Sequence, residues 1–359
     1  MLSTAGLSGI TEYNPAELVL TARAGTPVAE IEAALAEAGQ MLAFEPGDWS
    51  GLFGANGAPT VGALAAANVS GPRRVTAGAA RDALLGVRFV NGSGDIVKNG
   101  GKVMKNVTGL DLVKLMAGSW GTLGLLTEVS FKVLPRPETE ATLVVHGASE
   151  GDAVNLMASA MGTSAEVSGA AHLPEPVAKR AGLEGAATLL RLEGFAESVE
   201  ARFARLRDAL PGAPEIGSLD ETPSKTLWSK LRDVAPFAGS TKPLWKISVA
   251  PTAGHDAAAI ILRQVHGEAF HDWQGGLVWL QLDDENDASA SLVRETVARC
   301  GGGHATLIRA SDEIRRAVPV FQPQTGPVAA LSQRVRAALD PAGVFNPGRM
   351  VWNGARKAA

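Results

Sequence analysis

The sequence predicts an α+β protein of two domains, and three observations carry that reading. At 359 residues the chain exceeds the ~250–300 residues at which a single hydrophobic core stops growing. Its 41 glycines concentrate between residues 47 and 124 and thin out from residue 138. Beyond residue 138, strand and helix patterns follow in the order βαββαβ, and a similar order then recurs. That is a ferredoxin-like order, which predicts an antiparallel sheet with helices on one face.

The first region opens with alternating apolar and polar residues over 18–24, a strand. Thr26 is placed to cap a helix with Pro27 at its first position; Val28, Ile31, Leu35 and Ala38 recur at helical spacing, and Gly39 ends it. A strand over 40–44 completes a β-α-β unit. A loop with four glycines spans 46–59, and very small residues form a helix over 60–68. Strands over 84–90 and 95–98 flank Asn91-Gly92-Ser93-Gly94, a hairpin turn. A short helix over 110–116 precedes a strand over 125–134 that is closed by Pro135 and Pro137.

The first βαββαβ set comprises strands over 141–145, 165–172, 187–193 and 215–219, with helices over 152–160 and 197–210. After a helix over 222–234, the second set has strands over 244–250, 268–271, 277–282 and 304–309, with helices over 256–265 and 286–299. A loop over 319–327, a helix over 328–339 and a turn-rich tail over 340–350 end the pattern.

Composition excludes several classes of function. The chain is 46% hydrophobic and 19% charged, an ordinary globular balance. A net charge of −4 gives no basic footprint for nucleic acid or anionic membrane. The single cysteine, Cys300, excludes a disulfide framework, a cysteine-rich zinc site and an iron–sulfur cluster held by this chain alone. No apolar run approaches the ~20 residues that cross a bilayer, and the first residues carry no signal pattern. The expectation is a soluble, cytoplasmic protein without direct membrane insertion.

Residues 100–124, GGKVMKNVTGLDLVKLMAGSWGTLG, carry the densest signal. Glycine-punctuated turns beside Lys102 and Lys105 expose N–H groups that suit a phosphate or a flat ring, and they also serve as plain tight turns. No G-x-G-x-x-G stands in strand–turn–helix context, and no G-x-x-x-x-G-K-[ST] occurs. A second signal is PTVGALAAANVSGPRR at 59–74, a small-residue helix followed by an arginine pair. A third is DPAGVFNPGRM at 340–350, a rigid tail.

Taken in order, these three segments, with LLGVRFVNGSGDIVKNGG and LTEVSFKVLPRP around the central one, resemble flavoproteins of the vanillyl-alcohol-oxidase, PCMH type. Within that type they look most like the smaller FAD-binding subunits of bacterial glycolate oxidases. LWKISVAPTAG, GLVWLQLDDENDASA, GGHATLIRA and VFQPQTGP are similar to the cap region of those subunits.

The resemblance implies a PCMH-type FAD-binding domain from residues 1–137 plus 318–359, with an inserted ferredoxin-like antiparallel cap over 138–317. It implies that Asn68, Ser70, Gly71 and Arg73 run along the flavin. Gly101, Lys105, Asn106, Gly109 and Asp111 would shape the cofactor wall. Gly118, Ser119, Gly121, Thr122, Leu123, Gly124 and Leu125 would meet the adenine and pyrophosphate side, and Asn346, Pro347 and Gly348 return near the ring. Two departures stand out. The family's FAD domain begins with a further strand, helix and strand ending in a G-G-G-T-like pyrophosphate loop, and this chain starts after it. The expectation is an N-terminally incomplete domain, or weakened FAD binding. Leu110 stands where many relatives have Tyr.

The six histidines, at 146, 172, 255, 266, 271 and 304, show no metal-ligand spacing, and a hydrogen-bonded structural role is expected for each. In the strand over 304–309, His304, Thr306 and Ile308 should share one face, with Arg309 on the other. In LWKISV, Lys246 and Ser248 face away from Trp245, Ile247 and Val249, so Lys246 can meet a carboxylate or reduced flavin if that face covers the cofactor. Lys246 and His304 are therefore the candidate catalytic residues. The seven tryptophans and Cys300 read as packing residues, with Trp120 also placed to touch cofactor or a partner subunit.

The expected function is that of the FAD-binding subunit of a glycolate oxidase complex. It would oxidise glycolate or a related 2-hydroxy acid and pass electrons to an iron–sulfur subunit, beside a larger flavoprotein subunit. The alternative is a non-catalytic assembly subunit of the same complex.

Overall fold

The computed structural model describes residues 3–101, 109–210 and 215–350. Lys102, Lys105 and Asn106 lie outside the described residues.

The first unit is a five-stranded antiparallel sheet of β1 (Ile10–Asn14), β2 (Val19–Arg23), β4 (Leu84–Val90), β5 (Ile96–Gly100) and β6 (Leu125–Lys132). Its strands run β1-β2-β6-β4-β5. The late strand β6 inserts between β2 and β4 and joins chain segments about a hundred residues apart. Strands β3 (Gln40–Met41) and β7 (Leu134–Pro135) form a two-stranded ribbon beside it. The expected strand over 40–44 thus keeps two residues, and β1 is an additional, half-exposed edge strand with weak alternation.

The helix after β2 is Val28–Glu37, and Pro27 rather than Thr26 is its N-cap. The Thr26 hydroxyl instead donates to the Arg23 carbonyl at 2.7 Å and accepts from Gly9 N–H at 2.9 Å, tying down the chain ahead of β1. Phe44, Phe89 and Phe131 are fully buried at the centre of this core, each burial contributing about 1.5–3 kcal/mol. The helix Val61–Ala67 crosses the sheet so closely that a Cβ on Gly62 would meet Ala24 Cβ at 2.6 Å. The late helix Gly326–Leu339 returns here: Val335 and Leu339 pack on this core, and the Leu339 carbonyl accepts from Gly92 N–H at 2.7 Å.

The second unit is one eight-stranded antiparallel sheet. Its first repeat holds β8 (Thr139–His146), β9 (Gly169–Leu173), β10 (Ala187–Gly194) and β11 (Glu215–Leu219). Its second repeat holds β12 (Leu244–Ser248), β13 (Gly267–Asp272), β14 (Leu277–Leu282) and β15 (His304–Arg309). The order β11-β8-β10-β9-β13-β14-β12-β15 is the ferredoxin-like order used twice and joined edge to edge. At the join His172 stands opposite His271.

Helices Glu150–Met161 and Ala196–Asp208 cover one face of the first repeat, as Ala253–Leu262 and Ala290–Arg299 cover the second. The expectation of helices on one face only needs correction. In the first repeat Glu175–Ala181 and Glu221–Arg232 pack on the opposite face through Val177, Leu227 and Trp228. Strand β10 is consequently buried on both sides, which erases the alternation a one-sided sheet would show. Arg309 is a second correction. A bulge lets both Ile308 and Arg309 oppose Leu244, so Arg309 lies on the same face as Ile308. Its guanidinium donates there to the carbonyls of Leu52 and Phe237.

Candidate functional site

Two adjoining cavities lie between the units. One, about 410 Å³, is bounded by the helix Val61–Ala67, the loop over 47–60 and strand β15. The other, about 450 Å³, continues it towards Gly348 and Met350, and Arg315, Val320, Phe321 and Arg349 line both. Ala63, Leu64 and Ala67 make one apolar wall, and Trp49, Leu307 and Ile308 make the facing one. Small side chains on that helix leave the slot open. One buried polar atom of a lining residue is without a partner among the described residues, Trp49 Nε1; a second, Ser119 Oγ, belongs to the residue preceding the lining Trp120. Such atoms are costly unless a ligand meets them.

Behind the facing wall stands Lys246, half-buried in β12 beside Thr306 of β15, which lines the groove. Its Nζ stands 5.2 Å from the ring centres of Trp49 and Trp273 and 5.9 Å from that of Trp279. Burial pushes this ammonium down to about 8, helped by Arg74 and opposed by Asp272. Asp272, at the end of β13, is pushed up to about 7 by burial, although it accepts the Trp273 N–H at 2.7 Å. His304 lies on the same face but at the exposed end of β15, opposite Ser248.

The expected cofactor-binding residues divide into two sets. Asn68 ends the Val61–Ala67 helix in a left-handed conformation, and a Cβ added to Gly118 would stand 3.6 Å from its Cβ. Asn346 donates to the carbonyls of Trp120 and Gly121 at 3.0 and 3.2 Å. The turn over 118–121 therefore stands between Asn68 and the tail at Asn346, with Trp120 lining the groove; the Asn68 side chain itself accepts from Arg81 N–H at 2.9 Å. Four N–H groups of this turn are already committed. Those of Gly118, Ser119, Trp120 and Thr122 donate to Ala65, Met116, Ala66 and Ser119 carbonyls, and Arg315 and Arg349 supply cationic donors for an anion at that end.

Leu123 and Gly124 turn inward, with Gly124 against Phe89, and Leu125 opens β6. Gly101, Gly109 and Asp111 stand apart: Gly101 N–H donates to Leu85, and Asp111 caps the helix Leu112–Met116 at Lys114 N–H. Ser70 Oγ accepts from Ala80 N–H.

Arg73 faces the first cap repeat rather than the groove. It donates to Glu193 at 2.6 and 3.0 Å, while Arg191 donates to Glu45 at 2.8 and 2.9 Å. Burial alone would raise the Glu193 carboxyl, but Arg191 and Arg73 overcome it and hold it at about 2. This buried lock joins the two units. Gly71 sits beside it, so close to Glu45 that a Cβ would meet the Glu45 carbonyl at 2.5 Å.

Sequence reasoning missed Trp49, Trp273, Arg315 and Phe321. Trp49, Trp273 and Trp279 are not packing residues alone, since they ring Lys246, whereas Trp228 and Trp245 are deeply buried. The one available signal for Trp49 was its place in a glycine-rich loop. The histidines also depart from expectation. His172 bonds Thr188 at 3.0 Å, whereas the ring nitrogens of buried His271 make no close hydrogen bond and Nε2 instead faces the Glu150 carboxylate at 3.8 Å. Among the described residues no acidic, histidine or cysteine group is arranged to hold a metal.

Residues 1–100 match the family described as FAD binding domain. Among solved structures, p-cresol methylhydroxylase has a TM-score of 0.69 at 16% identity, over 96% of this chain and 78% of that one. The 4-ethylphenol oxidase from Gulosibacter chungangensis has 0.68 at 14%, over 98% and 79%. The fold is therefore that of the two-domain PCMH-type flavoproteins. Glycolate oxidase subunit GlcE of Escherichia coli K12 is 37% identical over 343 residues, 95% of this chain and 84% of that one. This chain belongs to the GlcE family. Glycolate oxidase subunit GlcD of Bacillus subtilis 168 is 44% identical over 85 residues, 24% of this chain and 18% of that one.

The groove fits the FAD that this family implies. It offers apolar walls for a flat ring, the unpartnered Trp49 Nε1 on one of them, and two arginines where an elongated anion would extend. Among the described residues no helix is long and apolar enough to cross a membrane.

Proposed function

We propose that this chain is the FAD-carrying subunit of a glycolate oxidase complex that oxidises glycolate or a related 2-hydroxy acid to the 2-oxo acid. The observation that carries the reading is the coincidence of GlcE-family sequence over 95% of the chain with an apolar groove overlooked by a caged ammonium. Relatives named D-lactate dehydrogenase and D-2-hydroxyglutarate dehydrogenase, matching 40% and 38% of this chain, support the 2-hydroxy-acid class. The names GlcE and GlcD support assembly with a larger flavoprotein subunit. An iron–sulfur subunit is the proposed onward electron carrier, because this chain's one cysteine cannot ligate a cluster alone.

In this reading FAD, when bound, supplies the two-electron acceptor for the substrate carbon. Asn68, the turn over 118–121 and Asn346 would form the rim that holds it, Trp49 Nε1 would offer it a donor, and Arg315 and Arg349 would supply positive charge for its anionic part. Lys246 holds the substrate carboxylate. Its ammonium, short of acceptors and walled by indoles, binds an anion more strongly than a solvated lysine would.

The test is the absorbance spectrum of the purified chain, alone and with its partner subunits, together with glycolate-dependent dye reduction. Flavin held by this chain and bleached by glycolate supports the reading. A complex that turns over glycolate while this chain carries no flavin replaces it with the assembly-subunit reading.

A further inference from the structure

Trp273 occupies an unusual position. It follows β13 with φ 51°, and Gln274 follows with φ 62°, a left-handed pair without glycine. At the matching end of the first repeat, β9 runs through Leu173 into Pro174 and a helix. The Trp273 backbone N–H is held by Asp272, and its Nε1 donates to the Gly71 carbonyl at 3.0 Å across the domain boundary. Gly71 is pinned from its other side by its own N–H to Phe44 at 2.9 Å. The same indole lies 4.3 Å from the Arg74 guanidinium carbon and 5.2 Å from Lys246 Nζ. One cap side chain thus touches the segment over 68–74, an arginine and the caged lysine.

We propose that Trp273 is a positioning residue: its indole ties Gly71, two residues on from the groove-lining Val69, and Arg74 to the cap and fixes Lys246 beside the groove, where a substrate carboxylate reaches it. This rests on the function proposed above. A residue serving stability alone would not need strained backbone to reach one carbonyl and two cations at once. The groups facing Lys246 Nζ are Arg74 from the first unit and Asp272 from β13, and Glu45 and Arg191 act on Asp272 in turn.

The test compares Trp273→Phe and Trp273→Leu with the unaltered chain, in the reconstituted complex and as the chain titrated with FAD. Trp273→Phe keeps a ring over the cations and deletes the donor to Gly71, and kcat for glycolate should fall about fivefold with KM nearly unchanged. Trp273→Leu removes the ring and lets water reach Lys246. KM should rise about tenfold, and the basic limb of the KM profile should move up towards that of an ordinary lysine. Variants that lower the melting temperature while kcat, KM and the limb stay in place overturn the proposal. If the unaltered complex oxidises no 2-hydroxy acid, the functional reading fails separately. Trp273 is then judged by FAD affinity alone: a roughly fivefold loss in Trp273→Phe sustains its role towards the segment over 68–74, and no change removes it.

Discussion

The two cap repeats have the same strand order but meet the first unit in different ways. In the first repeat, the face turned towards the FAD domain is filled by its own helix Glu221–Arg232. Thr142, in the middle of β8, bonds Ser224 at 2.7 Å and accepts from Trp228 Nε1 at 2.8 Å. What reaches the first unit there is a buried ion-pair lock, Arg191 with Glu45 and Glu193 with Arg73. In the second repeat the corresponding strand β12 presents Lys246 to three indoles, one of which, Trp49, lines the groove. One half holds the domains together and the other leaves a site open. A duplicated architecture can therefore divide grip and binding between its copies through a few face residues.

The largest expected effect breaks the lock. Arg191→Met leaves Glu45 and Glu193 sharing the single cation Arg73 in the buried seam and should cost about 3–5 kcal/mol, read as a shift in denaturant midpoint. The lock should also set the acid limit. Glu193 is held at about 2, below the ordinary 4.5, so its contribution is complete above about 4.5 and is lost as pH falls towards 2. A melting series across that window should steepen downwards with acidification, and a Glu193→Gln variant should flatten it.

Next in size, Lys246→Met should raise KM for glycolate by about 10–100-fold, the worth of a charge-assisted hydrogen bond, with little change in melting. Steady-state kinetics check this. In the unaltered complex, KM should rise as pH passes about 8, where Lys246 loses its proton. The smallest effect is the mirror substitution in the closed repeat. Thr142→Val should cost about 1 kcal/mol of stability and leave KM unchanged. An effect of Thr142→Val on KM would break the division between the repeats.

Much of this fold was legible in the sequence because its strands are short and bounded by turns. Strands β4, β11, β14 and β15 fall at the expected residues, as does the hairpin whose Asn91 side chain accepts from the Ser93 and Asp95 N–H groups at 3.0 and 2.8 Å. The βαββαβ order was readable from alternation followed by helical spacing. The second layer of helices on the first repeat was not, because a strand buried on both faces loses its alternation. At the site, the shared face of His304, Thr306 and Ile308 and that of Lys246 and Ser248 followed from the two-residue period, while the pairing that sets Lys246 beside Thr306 did not. The placement of Arg309 did not, because a bulge shifts the face by one residue and leaves no letter in the sequence.

The sequence by itself determined the order and type of the elements, the small-residue helix along the groove and the glycine turns that surround it. These are local consequences of spacing, side-chain size and backbone freedom. Only the tertiary structure decided that Arg73 serves a lock rather than the groove, that Trp49, Trp273 and Trp279 ring Lys246, and that Trp273 reaches Gly71 some two hundred residues away. Those contacts depend on which strand edges pair and how two domains dock, and local propensity carries no information about either.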